Sequence, residues 1–274
     1  MPEGPEILTM SKSLHTAMSE KYIFNISYDD KLKCNGLDKL ETPIKVSKVS
    51  SYGKKIIIHF EHPTENTCLI IAPLMTGIFT REPSKHNHAK FDIVSSIDKK
   101  IEIIEDTIYY SDVRCFGLWN YTSNTDEYNS VLKKVGLDIL KNTVSIDDWD
   151  LKVKKYGRKS IREVLMNQSI YSGIGNYLVS DICYVSRVHP HELLRNLDKE
   201  KTNSIFENIK NIMWESVEHG GMSMRDYKDL DGKLGTYNTR IYGKKTTAEG
   251  YNVIPINSPD GRVSWVAQDV QILI

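Results

Sequence analysis

Asn167-Gln168-Ser169-Ile170-Tyr171-Ser172-Gly173-Ile174-Gly175-Asn176-Tyr177 is the stretch on which the fold turns. It lies between two apolar helical faces, Ile161, Val164 and Leu165 before it and Leu178, Ile182 and Val185 after it. Gly173 and Gly175 let the backbone approach a neighbour closely. A helix that starts just after them begins with N–H groups that have no partner inside the helix. Those groups and the Asn176 amide suit an anion such as phosphate. Upstream, Lys152, Lys154, Lys155, Arg158, Lys159 and Arg162 make a locally basic run that reads as a solvated helix face. Downstream, Ile205, Ile209, Ile212 and Met213 line a longer helix that stops at Gly220-Gly221.

Towards the N-terminus the period changes. Ile7, Met10, Leu14 and Met18 are helically spaced over residues 4–18. Short β-rich runs then follow at 44–49, 55–60, 68–72, 90–95, 99–105 and 107–111, punctuated by Gly, Pro, Asn and Asp. Many short strands with turn signals predict an antiparallel sandwich. Residues 120–130 are polar and read as a linker. At the C-terminal end, 251–257 and 262–267 flank Ser258-Pro259-Asp260-Gly261, which predicts a hairpin. The expected fold is α+β: a 1–122 domain of helix plus antiparallel β-sandwich, and a 123–274 helical domain. The second divides into a linker and first helix (123–150), a bundle (151–235) and a β-hairpin (236–274).

The 274 residues are 40% hydrophobic and 26% charged, enough apolar side chain for a core and inconsistent with global disorder. No apolar run approaches the ~20 residues of a membrane span. The acidic start lacks the layout of a signal peptide, so a soluble intracellular protein is expected, without a membrane partner. Lys plus Arg and Asp plus Glu balance at 36 each, which by itself argues mildly against a nucleic-acid partner. The charge is unevenly spread: residues 1–130 carry 15 basic and 18 acidic side chains, residues 131–274 carry 21 and 18. Cys34, Cys68, Cys115 and Cys183 are far apart with no Cys-x-x-Cys pair, so buried free thiols are expected rather than a zinc site or a disulfide framework. His86 and His88 lie two apart, but no further ligand cluster supports a metal.

Met1-Pro2-Glu3-Gly4-Pro5-Glu6 carries the sharpest chemistry. An initiator Met before a small residue is commonly removed, which would leave Pro2 as a secondary amine. An α-amino group titrates near about 8, so it is a neutral nucleophile at physiological pH far more readily than Lys. Attack on an aldehyde-like sugar carbon gives an iminium ion, and Glu3 beside it can protonate the departing ring oxygen. On residue chemistry alone, a stiff, fraying chain end accounts for the same string.

That hexapeptide resembles the start of the Fpg/Nei family of DNA glycosylases, formamidopyrimidine-DNA glycosylase and endonuclease VIII, with Glu3-Gly4 closer to the endonuclease VIII branch. Further motifs match in order. Tyr52-Gly53-Lys54-Lys55 resembles the family's Gly-Lys turn, Leu74-Met75-Thr76-Gly77 its Met-Ser-Gly loop, and Lys85-His86-Asn87-His88 its Lys-His-x-His. Asp112-Val113-Arg114-Cys115-Phe116-Gly117 resembles its Asp-Pro-Arg-x-Phe-Gly loop. The Ile161–His191 region resembles its helix–two-turns–helix unit, Gly220 to Tyr227 its Gly-Gly-Thr-Thr-Leu-Arg-Asp stretch, and Ile241-Tyr242-Gly243-Lys244 the lead into its zinc finger. No cysteine follows Cys183, so the tail is similar to the zincless-finger subgroup.

The resemblance implies a bifunctional DNA glycosylase and apurinic/apyrimidinic (AP) lyase, monomeric, acting at DNA. Its partner would be double-stranded DNA with oxidised bases or abasic sites, and it would need no cofactor and no metal. Pro2 would be the nucleophile, Glu3 the sugar acid and Glu6 a support for the amine, with Lys54 assisting β,δ-elimination. Met75 and Phe116 would fill the hole left by the extruded nucleotide while Arg114 bonds the orphaned base. His86, Arg158, Asn176 and Lys244 would hold DNA, and Arg262 would be the finger arginine on the phosphates beside the lesion. Oxidised pyrimidines and hydantoins are the expected substrates. Oxidised purines are the alternative, as is a non-catalytic binder of damaged DNA.

Overall fold

Pro5 in its first turn and Glu3 at its N-cap start α1 (Gly4–Met18), and Ile7, Met10, Leu14 and Met18 are all buried along one face. The computed structural model describes residues 1–63, 66–97, 103–141, 144–223 and 228–273. They form two compact units: Met1–Lys134 with Gly220–Thr236, and Val135–His219 with Tyr237–Ile274. The sequence boundary at 122/123 therefore differs from the division seen, because the segment after the long helix rejoins the first unit.

The first unit continues through β1 (Tyr22–Tyr28), β2 (Lys33–Asn35), β3 (Ile44–Tyr52), β4 (Lys55–Phe60), β5 (Cys68–Ala72), β6 (Gly77–Thr80), β7 (Asn87–Val94), β8 (Asp106–Asp112) and β9 (Leu118–Thr122). They join in the order β2-β9-β5-β4-β3-β1-β7-β8-β6. Every pairing is antiparallel except β2 with β9. Among the described residues a short ladder, Tyr22↔Lys45 and Ile23↔Ile44, links the two halves of the sheet. Trp119 of β9 packs on Phe79, Phe91 and Tyr110 of the other half, so the halves close over one core, as expected of a sandwich.

Four of the strands, β1, β2, β6 and β9, escaped the pattern reading because they are short or mixed in polarity. Of the predicted run 99–105, residues 99–102 lie outside the described residues, and 103–105 are not strand.

The polar stretch 120–130, expected as a linker, instead completes β9 and starts α2 (Thr125–Lys133). The Asn124 side chain caps this helix, accepting the N–H groups of Asp126 and Glu127 at 2.7 and 3.3 Å. Its polar residues form the cap and wet face, while Tyr128, Val131 and Leu132 pack on Ile57, Cys68 and Ile70.

The second unit holds β10 (Leu137–Asp138), α3 (Ile146–Lys155), α4 (Ile161–Met166), β11 (Tyr171–Ser172), α5 (Asn176–Val185) and α6 (Lys199–Glu218), then the hairpin β12 (Val253–Asn257) and β13 (Val263–Ala267). Trp149 is fully buried, stacks on Phe206 and donates its indole N–H to the Thr202 carbonyl at 2.9 Å. Ile161, Val164, Leu165, Leu178, Ile182, Ile205, Ile209, Ile212 and Met213 are buried as read, whereas Val185, at the helix end, is exposed. The hairpin is seated by Val253 and Ala267 against Tyr184 and Ile241, with Trp265 and Tyr251 at the margin. Apolar packing thus holds the finger-like tail. Among the described residues no group of three or more His, Cys, Asp or Glu could hold a metal ion, and no helix is long and apolar enough to cross a membrane.

Two sequence expectations change. Of the thiols expected to be buried, Cys34 is exposed, because it lies on the three-residue edge strand β2, and Cys115 is half-exposed on the loop after β8. Arg162, placed on a solvated face, is only 2% exposed, although Lys154, Lys155, Arg158 and Lys159 are exposed.

Candidate functional site

The first unit gathers its candidate groups at the start of α1 and on the loops that end its strands. Pro2 is buried, its nitrogen joined to Met1, and Glu3 and Glu6 are 4% and 3% exposed. Glu6 holds this end in place. Its Oε2 accepts the Glu3 N–H at 2.7 Å and its Oε1 accepts the Met222 N–H at 2.8 Å. The two bonds tie the chain start to the segment 220–223, and backbone N–H donors to a carboxylate are among the stronger hydrogen bonds.

Gly221 makes the second bond sterically feasible. Its φ is +93°, and a Cβ there would stand 2.8 Å from Glu6 Cγ. Met224 to Tyr227, which complete the Gly220–Tyr227 motif, lie outside the described residues.

Lys54 is half-buried in the two-residue turn Gly53-Lys54 between β3 and β4, closed by the pair Tyr52↔Lys55, with Gly53 at φ 57°. Burial holds the neighbouring Lys55 ammonium below the usual lysine range.

The loops carrying Met75 and Phe116 are organised by Asp112, whose side chain is 1% exposed. Asp112 Oδ2 accepts the Gly117 N–H at 2.7 Å, and Oδ1 accepts the Arg114 N–H at 3.2 Å and the Thr76 hydroxyl. Thr76 Oγ1 in turn accepts the Arg114 N–H at 3.2 Å. One carboxylate thus stitches the Met75 loop to the Arg114–Phe116 loop. On that frame Arg114 is exposed, Phe116 is 44% exposed with Lys33 Nζ 5.4 Å from its ring centre, and Met75 is half-buried. Phe116 is thus an exposed aromatic side chain on a loop fixed by a buried carboxylate. His86 is half-buried on the adjoining loop, and its carbonyl accepts the Asp112 N–H at 2.9 Å.

In the second unit the turn between α4 and α5 is fixed by Gln168. Its Nε2 donates to the Ile174 carbonyl at 2.7 Å and its Oε1 accepts the Gly173 N–H at 3.1 Å. Asn176 opens α5 directly after Gly175, the N-cap. Its amide is engaged on both sides: Oδ1 accepts from Arg162 Nη1 at 2.8 Å and Nδ2 donates to the Val263 carbonyl at 3.0 Å.

Arg162 Nη2 also reaches Asp260 Oδ1 and Oδ2 at 3.3 and 3.1 Å. Although burial pushes the Asp260 carboxyl up, the Arg262 N–H and the Arg162 charge hold it below the usual aspartate range. The buried guanidinium therefore links α4, the start of α5 and the hairpin turn. Arg262, just beyond that turn, is exposed, its N–H donating to Asp260 Oδ1 at 3.1 Å. Arg158 is exposed and Lys244 half-buried in a turn after Gly243.

Within each unit the structure gathers the sequence candidates into local groups: Pro2, Glu3 and Glu6; Met75, Arg114 and Phe116; Asn176 and Arg262. The residues that the sequence reading missed are the organisers Asp112, Thr76, Gln168, Arg162 and Gly221. A buried Asp or Gln inside a loop motif looks like any polar loop residue until its partners are known.

Comparison with known proteins agrees with this layout. The model of the formamidopyrimidine-DNA glycosylase N-terminal domain matches residues 1–119, and that of the formamidopyrimidine-DNA glycosylase H2TH domain matches residues 135–228. A formamidopyrimidine-DNA glycosylase of Rickettsia felis is 28% identical over 262 residues, covering 89% of this chain and 88% of the relative. One of Listeria innocua is 32% identical over 186 residues, 65% and 64% of the two chains.

Among solved structures, the MutM (Fpg) protein of Thermus thermophilus superposes with a TM-score of 0.86 over 100% of both chains at 21% identity. Lactococcus lactis Fpg, in a complex with abasic-site DNA, superposes with a TM-score of 0.84 at 23% identity, covering 98% of this chain and 99% of that one. Two successive family models over most of the chain, with the same overall fold, make this chain a member of the Fpg/Nei family of DNA glycosylases, enzymes of base excision that also have AP lyase activity.

Proposed function

We propose that this chain removes oxidised and ring-opened purines from double-stranded DNA and then cuts the strand through an amine intermediate on Pro2. The observation that carries the reading is the clamped N-terminus, where Glu6 fixes the Glu3 N–H at 2.7 Å beside a buried Pro2. Loss of Met1 would leave a buried secondary amine next to a buried carboxyl group. The amine attacks C1′ of the damaged nucleotide, Glu3 protonates the opening sugar, and the base departs as the iminium forms. Lys54 then serves the β- and δ-elimination steps as a cation beside the sugar phosphate. Met75, Arg114 and Phe116, presented by the Asp112 frame, replace the extruded nucleotide. His86, Arg158, Asn176, Lys244 and Arg262 hold the phosphates and place the protein on DNA.

Purines are preferred over the pyrimidines and hydantoins expected from Glu3-Gly4 because the curated relatives found are formamidopyrimidine-DNA glycosylases. The Arg114/Phe116 loop and the long 220–237 segment also resemble the purine-acting branch of the family. Oxidised pyrimidines remain the second reading, carried by Glu3-Gly4 and the cysteine-free tail. A panel of duplexes carrying formamidopyrimidine, 8-oxoguanine, thymine glycol and hydantoin lesions tests the choice. Faster excision of the first two supports it, and faster excision of thymine glycol reverses it. Glu3→Gln should nearly abolish base removal yet leave part of the cleavage at a preformed abasic site. Equal loss of both activities contradicts its role as sugar acid.

A further inference from the structure

The loop that presents Arg114 and Phe116 also carries Cys115, a half-exposed residue at φ 51°. Its Sγ lies 3.3 Å from His88 Nε2 and 3.6 Å from the Asp112 carbonyl oxygen. His88 is itself 5% exposed; its Nδ1 lies 2.8 Å from Asp29 Oδ2, and its Nε2, shared with the thiol, lies 3.1 Å from the Asp112 carbonyl oxygen. Burial opposes ionisation of Asp29, but the bond and charge of His88 and the N–H groups of Lys31 and Leu32 hold its carboxyl below the usual aspartate range. Thiol, imidazole and carboxylate thus stand in the order nucleophile, base and orienting group.

The other three thiols lack this arrangement. Burial and the nearby Asp38 charge push the Cys34 thiol up, although Cys34 is exposed. Cys68 and Cys183 are buried and are pushed up to about 12 by burial.

We propose that Cys115 is a peroxide-sensitive thiol that controls the Arg114–Phe116 loop. His88 takes the thiol proton and the sulfur attacks one oxygen of hydrogen peroxide. An S–O bond forms as the O–O bond breaks. The sulfur is oxidised by two electrons to a sulfenic acid, and the departing hydroxide takes the proton from His88 and leaves as water. The added oxygen displaces the sulfur from its contacts with His88 and Asp112, between Arg114 and Phe116. That consequence, loss of lesion binding, rests on the function proposed above for the loop; the reactivity of the thiol does not.

The test treats the full chain with hydrogen peroxide and a sulfenic-acid probe, dimedone, and maps the label by peptide mass spectrometry. Cys115 should label about tenfold faster than the exposed Cys34, with Cys68 and Cys183 unlabelled. His88→Gln, and independently Asp29→Asn at a partly exposed position, should slow Cys115 and leave Cys34 unchanged. Labelling of Cys115 no faster than Cys34, or indifference to both substitutions, overturns the site. In the second arm, peroxide should abolish binding of the native chain to an abasic-site duplex but spare Cys115→Ser. Undiminished binding after full oxidation at Cys115 overturns the control. Failure of the untreated chain to bind that duplex counts against the proposed function alone.

Discussion

Removing the Arg162 guanidinium tests how the hairpin is held to the turn between α4 and α5. In Arg162→Met the side chain keeps its bulk, but Asn176 Oδ1 loses its 2.8 Å donor and Asp260 its 3.1 and 3.3 Å partners. Breaking a fully buried ion pair costs about 3–5 kcal/mol. Here the Asp260 side chain is 41% exposed and can rehydrate, so that figure is an upper bound. Arg162 Nε is buried with no hydrogen-bond partner, and methionine removes that penalty. The amide oxygen stranded on Asn176 costs about 1–3 kcal/mol, so the net loss should be about 2 kcal/mol.

Asp260→Asn should cost at least as much, because it leaves the guanidinium, only 3% exposed, without its carboxylate. Urea unfolding of both variants and of the double variant, followed by tryptophan fluorescence, completes a double-mutant cycle. The two losses should fall short of additivity by at least about 1 kcal/mol, as expected of groups in one network. Additive losses, or an Arg162→Met chain as stable as the parent, would refute the linkage.

Asp112→Ala should weaken binding to an abasic-site duplex by about tenfold or more, since the Gly117 and Arg114 N–H groups and the Thr76 and Tyr110 hydroxyls lose one buried acceptor; unchanged binding in a filter or anisotropy assay contradicts the frame. Gly221→Ala, with φ +93° and a Cβ 2.8 Å from Glu6 Cγ, should lower glycosylase kcat while the second unit stays folded by circular dichroism. Burial and the neighbouring His191 hold His189 below the usual histidine range, and burial and the Arg162 charge do the same for His191. The unfolded chain therefore binds more protons just below its histidine pKa of about 6.5, and stability should fall as pH drops through that value, levelling off below the folded values. Thermal midpoints that rise on acidification from pH 7 to 5.5 contradict this.

The legible parts of the fold were those with a strong period or a turn signal. The α1 stripe, β3 to β5, α6 and the Pro-Asp-Gly hairpin all lie where the sequence put them. What stayed hidden depended on partners distant in sequence. α2 reads as a polar linker because its apolar face has only Tyr128, Val131 and Leu132 to show, and these matter only once Ile57 and Ile70 lie beneath them. Arg162 reads as one more cation in a basic run, and only the arrival of Asp260, 98 residues later, makes it a buried link. The candidate residues of the site were named by motif, but the groups that position them, Asp112 and Gly221 above all, act through folded geometry that no spacing reveals.

Borohydride reduction in the presence of an abasic-site duplex probes the amine mechanism most directly. A chain freed of Met1 should yield a stable covalent protein–DNA adduct, and peptide mapping should place the bond on Pro2. Strand cleavage by the Met-free chain with no adduct at any borohydride concentration, or an adduct mapped to Lys54 instead, would contradict the account.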